Sequence, residues 1–250
     1  MIPIFSKEPG NWRELQDMVA TIFLDMGYDT AIEKDIKTVR GKVNVDVFAH
    51  KKVQRLSETV IVECKNWARA VTKSTVHSFR TIVSDYGANL GLIVSKKGFQ
   101  KGAYEAAENS NILLLTFDEF QMEFRDQWLD DVIERNATTV YPLRRYCDYM
   151  DSFIAKHIDV LTEEKQLIYR KLRNQYDSQS GLASRMFYKS IGSNRLHDYV
   201  EEVILENYHR LPLDKPESLH SYFDFLYRYC LDGVEAFDNL FEKKIRKWDR

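Results

Sequence analysis

The sequence has few cysteines, no long apolar run and almost no net charge. Its 250 residues include three cysteines, an odd number without metal-ligand spacing, which indicates neither a disulfide framework nor a cysteine metal site. No apolar run approaches the roughly 20 residues of a membrane-spanning helix. The first residues do not resemble a signal peptide. We therefore expect a soluble, reduced protein of the cytoplasm.

The charge is unevenly distributed along the chain. The formal net charge of −2 gives no global indication of a nucleic-acid partner. Residues 37–80, however, contain ten Lys or Arg and only three acids, a net charge of +7. Two of these acids are Asp46 and Glu63. Carboxylates in basic surroundings suit a phosphodiester enzyme, because the cations attract the backbone and the acids hold a metal ion. An ordinary solvated surface is the alternative interpretation.

Residues 40–67 carry the patterns of two neighbouring strands. Apolar and polar residues alternate over 43–50, and residues 59–65 form a β-branched run after a charged turn at 51–58. A turn of this length predicts an antiparallel hairpin. Glu63 and Lys65 are two residues apart and share a face, whereas Cys64 points to the other side. If the strands pair, Asp46 lies about 5 Å from them, and the three polar residues converge.

Helix and strand patterns predict two domains. Asn11 and Glu14 have the spacing of a capping box at the start of a helix. The order α-β-β-β-α-β-α-β then predicts a mixed central sheet flanked by helices, an α/β domain within residues 1–135. Residues 136–250 are predicted to be all helical, with a polar break at 177–181 and a cap at Ser193.

The N-terminal residues also resemble a known family. The resemblance rests first on a helix with Glu14, a strand with Asp46 and the Glu-Cys-Lys element at 63–65. It also rests on a later run with Gly-Ala at 87–88, Ile-Val-Ser at 93–95, Gly-Phe at 98–99 and Gly-Ala at 102–103. Over residues 8–125 this order resembles the Mrr-type restriction endonuclease domain, of the PD-(D/E)xK nuclease superfamily. It is also similar to archaeal Holliday-junction resolvases. The resemblance implies a restriction-endonuclease-like core.

By this resemblance the site residues have specific roles. Asp46 and Glu63 would bind Mg²⁺, with Mn²⁺ as an alternative ion, and Lys65 would orient or activate the attacking water. Glu14 would complete the acidic site, although its capping position is an equally good structural explanation. The predicted contacts to DNA, the implied substrate, are Lys42, Asn44, Trp67, Lys96 and Lys97.

Two positions depart from the family pattern, and two other functions stay open. Asn44 stands where the family often has glycine, and Glu63 where many members have Gln. The resemblance implies a Mg²⁺-dependent endonuclease of an anti-phage, restriction-like system. A non-cleaving DNA-binding or assembly subunit and a repair nuclease for branched DNA are the alternatives. The aromatic-rich helical half is predicted to mediate self-association or to bind a partner or trigger, with core packing as the default for its aromatics.

Overall fold

The computed structural model describes residues 1–53, 56–190 and 196–245. The chain divides into two compact units. One is Phe5–Asp131, and the other combines Met1–Ile4 with Val132–Arg250. The sequence-based division into 1–135 and 136–250 assigns the first four residues differently, and it remains a prediction.

The unit Phe5–Asp131 follows the predicted order of helices and strands. Helix α1 begins after Asn11, whose side chain accepts a hydrogen bond from the Glu14 backbone N–H. The hairpin strands extend further into the predicted turn than expected, to Val53 on one side and from Leu56 on the other. The elements are α1 Trp12–Asp25, β1 Asp29–Thr38, β2 Gly41–Val53, β3 Leu56–Lys65, α2 Lys73–Tyr86, β4 Leu90–Ser95, α3 Lys101–Ala107, β5 Ile112–Thr116 and the start of α4 Phe117–Cys147.

The five strands form one mixed sheet in the order β1-β2-β3-β4-β5. The pairs β1–β2 and β2–β3 are antiparallel, and β3–β4 and β4–β5 are parallel. On β3, Val60, Ile61 and Val62 are all buried in succession, so both faces of this strand are covered. The predicted restriction-endonuclease-like core, a mixed sheet flanked by helices, is therefore confirmed.

Close packing holds α2 against the sheet. Val76, Phe79 and Val83 of α2 belong to one buried cluster with Ile61 and Ile93 of the sheet. The approach requires a glycine at position 91, because a Cβ atom there would lie 2.6 Å from side-chain atoms of both Val83 and Ile112. Real Cβ contacts are almost never so short, and α2 consequently lies directly beside β4, the strand that pairs with β3.

The second unit is helical, as predicted, but one expected feature is wrong. Residues 177–181 do not interrupt a helix, because α6 runs from Glu163 to Ser190. Within it, Ser180 is buried and its hydroxyl donates to the backbone carbonyl of Asp177, so this polar side chain is satisfied inside the helix. Ser193 lies outside the described residues. The other helices are the end of α4, α5 Ser152–Asp159, α7 Leu196–Asn207, the 3-10 helix Tyr208–Arg210 and α8 Leu219–Phe241.

Many aromatic residues of the helical unit lie in its core. Tyr146 stacks on Phe237 with ring centroids 5.1 Å apart, and Tyr169 meets the same ring edge-on. Tyr222 is fully buried, whereas Tyr141 is half exposed. Core packing therefore accounts for seven of the fifteen aromatic side chains whose burial the structure describes in this unit, and the others are partly or largely exposed. Among the described helices, none is both long and apolar enough to cross a membrane.

Candidate active site

Asp46 lies where strand β2 separates from β3. The paired residues run from Val53 opposite Leu56 to Val47 opposite Val62, and Asp46 is the next residue beyond them. Its Oδ2 atom accepts a 2.6 Å hydrogen bond from the backbone N–H of Cys64. A side-chain carboxylate thus satisfies a strand N–H beyond the end of the β2–β3 pairing. This contact fixes Asp46 beside the Glu-Cys-Lys element.

Gln16 of α1 holds the other oxygen of Asp46. Its Nε2 donates to Asp46 Oδ1 at 3.1 Å, and its side chain is completely buried. Its Oε1 is buried without a hydrogen-bond partner among the described residues. The sequence analysis missed Gln16. The signal was a polar residue next to Leu15 and three residues before Val19, on the buried side of the helix, where a Gln needs a polar partner.

Glu63 and Lys65 contact each other at the end of β3. The Lys65 ammonium forms a hydrogen-bonded ion pair with Glu63 Oε1, and the two side chains are 15% and 22% exposed. The intervening Cys64 is buried. Side chains two residues apart on a strand share a face, which explains the contact. Asp46, Glu63 and Lys65 therefore come together at one end of the sheet.

Burial and mutual repulsion act on the two carboxyl groups. Burial raises the pKa of Asp46, and the Cys64 N–H, Lys65 and Gln16 oppose this increase. Burial also raises the pKa of Glu63, the charge of Asp46 raises it further, and Lys65 lowers it. The ionised pair is consequently less favourable in the folded protein than in water. A bound cation would relieve both the burial cost and the repulsion.

The donor set fits a hard divalent ion. Mg²⁺ binds proteins through one or two carboxylates and keeps several waters or substrate phosphate oxygens. Asp46 and Glu63 supply two carboxylates, and the unpartnered Gln16 Oε1 adds an acceptor beside Asp46. In the described ranges, no cluster of three or more His, Cys, Asp or Glu side chains could hold a metal ion. The site thus suits Mg²⁺ better than a fully protein-ligated zinc ion.

Glu14 makes the contacts of a helix cap. Its carboxylate accepts hydrogen bonds from the Gly10 backbone N–H at 2.9 Å and from the Asn11 side chain at 3.0 Å. It also forms an exposed ion pair with Lys7 at 3.7 Å. These contacts lower the pKa of Glu14, with the Gly10 N–H as the largest cause. Its participation in the site remains a prediction.

The predicted nucleic-acid contacts lie in two places. Trp67 is half-buried, and the Lys65 ammonium lies 4.9 Å from the centre of its ring, with the Arg69 guanidinium at 5.5 Å. Lys96 and Lys97 are exposed after β4, and the Lys96 backbone N–H donates to the Lys65 carbonyl. These three predicted residues are near the site.

Lys42 and Asn44 belong to the β1–β2 hairpin instead. Lys42 is exposed. The Asn44 side-chain amide donates to the Glu33 carbonyl and to an Asp35 carboxylate oxygen, both at 3.0 Å. Asn44 therefore bridges the two strands, a structural role that the sequence did not indicate. Contact of these two residues with DNA remains a prediction.

A small cavity borders Glu63. Its volume is about 240 Å³, and its other lining residues are Thr75, Ser78, Phe79 and Ile82 of α2. Glu63 can therefore be reached from a recess between the sheet end and α2.

Comparisons with known proteins identify this unit. Residues 9–123 match the family model of the Mrr catalytic domain, described as a restriction endonuclease. These residues are an Mrr-type restriction endonuclease domain. The resemblance noted in the sequence is thus confirmed, and the elements around Asp46, Glu63 and Lys65 all lie inside this nuclease domain.

Other comparisons add little. No curated protein matches the chain. The crystal structure of a protein of unknown function, AF1548, is similar with a TM-score of 0.40 and 15% sequence identity, over 78% of this chain and 96% of that chain. This distant similarity says nothing further about the nuclease domain.

Replacing Gln16 should impair the site more than the fold. In Gln16→Ala, Asp46 loses one of its two hydrogen bonds, and we expect the Mg²⁺ concentration for half-maximal cleavage to rise about 10–100-fold, as is typical when support of a ligand is removed. A Mg²⁺ titration of DNA cleavage measures this. Gln121→Ala is the matched control, since Gln121 is also buried but bonds the Phe5 backbone N–H.

The same titration separates two roles for Glu14. Gln at this position still accepts a hydrogen bond, so Glu14→Gln preserves the cap. Lost cleavage with an unchanged melting temperature would put Glu14 in the site.

Equal Mg²⁺ dependence of Gln16→Ala and Gln121→Ala would contradict the role of Gln16.

Neutralising Glu63 should stabilise the metal-free protein. The folded state raises the pKa of Glu63. At a pH above this raised pKa, ionisation of Glu63 lowers the stability of the fold, whereas at a pH below the usual carboxyl pKa it has no such effect. We expect Glu63→Gln to melt higher than wild type at pH 8 with chelator present, by about 2–4 °C for each kcal/mol of relieved cost. The difference should shrink as the pH falls through the raised pKa.

A surface ion pair supplies the control. Glu105 pairs with Lys73 at 3.6 Å, and both side chains are about half exposed. Glu105→Gln should change the melting temperature little at any pH, because exposed ion pairs contribute little. A Glu63→Gln variant that melts lower than wild type throughout would mean that the ion pair with Lys65 outweighs burial and repulsion.

Proposed function

We propose that the protein is a Mg²⁺-dependent endonuclease that hydrolyses phosphodiester bonds of DNA. The observation that carries this proposal is the convergence of two partly buried carboxylates, Asp46 and Glu63, with Lys65 at the strand end of a restriction endonuclease domain. The positive surroundings of this segment favour a polyanionic substrate.

Each residue has a role that follows from its chemistry. Asp46 and Glu63 would hold the metal ion, for which Mn²⁺ is an alternative. Mg²⁺ held there would supply a more acidic water molecule and stabilisation of negative charge on the scissile phosphate. Asp46 is kept in one orientation by Gln16 and the Cys64 N–H, so little reorganisation is needed on binding. Lys65 contributes positive charge beside the phosphate and orients the attacking water.

Substitution of the three residues tests the assignment. Asp46→Asn, Glu63→Gln and Lys65→Ala should each reduce Mg²⁺-dependent plasmid cleavage by at least about 10²–10³-fold, because each removes charge stabilisation from the reacting phosphate. Circular dichroism should show an unchanged fold. Asp17→Asn, an exposed substitution on α1, is the control and should cleave like wild type.

The choice of substrates separates the alternatives. Supercoiled plasmid, linear duplex, single strands, a four-way junction and RNA are compared under identical Mg²⁺ conditions. Cleavage of plasmid and duplex supports the proposal. Cleavage of the junction alone would favour the branched-DNA nuclease, and binding of DNA without cleavage of any substrate would favour the non-cleaving subunit.

We also propose a restriction-like role in defence against phages. The support is the description of the matched family as a restriction endonuclease. Wild-type protein should reduce phage plating in a heterologous host, whereas Asp46→Asn should not. Equal plating with both proteins contradicts this role.

Assembly through the helical unit is part of the same proposal. A single site cuts one strand at a time, so two sites brought together would cut both strands of a duplex in one encounter. Leu167 and Ile168 of α6 are 53% and 42% exposed and could contribute apolar contact area. Light scattering should give about twice the 29.5 kDa chain mass, or a complex with a partner protein. If the protein is a monomer under every condition, including during duplex cleavage, assembly through the helical unit is excluded.

A further inference from the structure

We propose that the helical unit binds a small phosphate monoester with a planar body in a cavity between α5 and α6. The cavity volume is about 270 Å³, slightly below the roughly 300–1,000 Å³ of most small-molecule sites, so the ligand is small. This site is independent of the proposed nuclease activity. Its lining includes Tyr149, Ala155, Ile158, Tyr169, Arg170 and Arg173.

Two arginines on one helix face supply the charge. Arg170 and Arg173 are three residues apart on α6, the spacing of neighbours on a helix surface. Neither forms an ion pair with a carboxylate of the described residues. Four other basic side chains of this unit do, in the pairs Arg144–Asp177, Arg145–Asp151, Lys165–Glu242 and Arg228–Asp224. Among the residues that the structure describes, no ion pair therefore neutralises either guanidinium, although Asp159 lines the same cavity.

Arg173 is held in place before any ligand binds. Its Nε donates to the Cys147 backbone carbonyl at 3.2 Å, and its guanidinium carbon lies 4.2 Å from the centre of the Tyr149 ring. Planar guanidinium groups bind phosphate oxygens through paired hydrogen bonds. An already oriented Arg173 loses little conformational entropy on binding, which favours affinity.

The other walls are largely apolar. Tyr169 is buried, and its hydroxyl is already used as a donor to the Tyr146 carbonyl, so this residue presents mainly its ring. Ala155 and Ile158 of α5 complete an apolar lining that suits a flat ring. Asp159 also lines the cavity, and its negative charge should keep the phosphate at the arginine end.

A phosphate monoester matches this combination better than a carboxylate. It carries between one and a half and two negative charges near neutral pH, about the charge of two guanidinium groups. A carboxylate has a single charge and fewer acceptor oxygens. Phenyl phosphate is a minimal probe with both features. Inorganic phosphate, phenol and benzoate each lack one of them.

Calorimetry with the full-length protein tests the proposal. Wild type should bind phenyl phosphate with a Kd of roughly 1 mM or tighter, and inorganic phosphate, phenol and benzoate more weakly. Arg170→Ala, an exposed substitution, should weaken phenyl phosphate binding at least about tenfold, because it removes charge-assisted hydrogen bonds. Lys171→Ala is the matched control. It removes one exposed positive charge from the neighbouring position of α6, outside the cavity lining.

A second variant guards against indirect effects. Ala155→Phe fills the cavity without changing charge, and it should also abolish binding while circular dichroism shows an intact fold. Failure of phenyl phosphate to bind wild type overturns the proposal. So does equal binding by wild type and Arg170→Ala, or equal loss in Lys171→Ala, which would indicate only general attraction to the positive helix surface. Tighter binding of benzoate than of phenyl phosphate excludes the phosphate monoester.

Discussion

The candidate active site depends on the hydrogen bond from the Cys64 backbone N–H to the Asp46 carboxylate. This bond forms just beyond the last paired residues of β2 and β3. The Asp46 side chain therefore accepts a hydrogen bond from a β3 N–H group at the point where the two strands separate. Because Cys64 lies between Glu63 and Lys65, the bond fixes the position of Asp46 relative to both. Gln16 then fixes α1 to the same carboxylate. Loss of this one contact would affect three elements together.

The electrostatics of the site oppose stability and favour binding. Burial and repulsion raise the pKa of both carboxyl groups, and an unpartnered amide oxygen lies beside them. The core around these groups is well packed, because Val60, Ile61 and Val62 of β3 are buried and α2 closely approaches β4 at Gly91. Unfavourable groups held by a well-packed core are typical of functional sites. Ionisation of these two carboxyl groups therefore costs the fold some stability.

Local periodicity predicted the fold and the placement of Asp46, Glu63 and Lys65. It did not predict which side chains from distant parts of the sequence contact each other. The alternation around Asp46 and the two-residue spacing of Glu63 and Lys65 correctly placed them at one sheet end, because strand parity is a local property. Gln16 was missed because its partner is 30 residues away. The expected break at 177–181 failed because α6 packs against α8, where Gly233 lies against Tyr176, and tertiary contacts override weak helix propensity.

The first residues of the chain depend on residues that are synthesised much later. The carbonyls of Pro3 and Ile4 accept hydrogen bonds from the backbone N–H groups of Leu219 and His220. These contacts span more than 200 residues, whereas the nuclease unit is one continuous stretch from Phe5 to Asp131. On the ribosome the nuclease unit can therefore fold before the helical unit is complete. During that interval Pro3 and Ile4 lack the hydrogen-bond donors that Leu219 and His220 later provide.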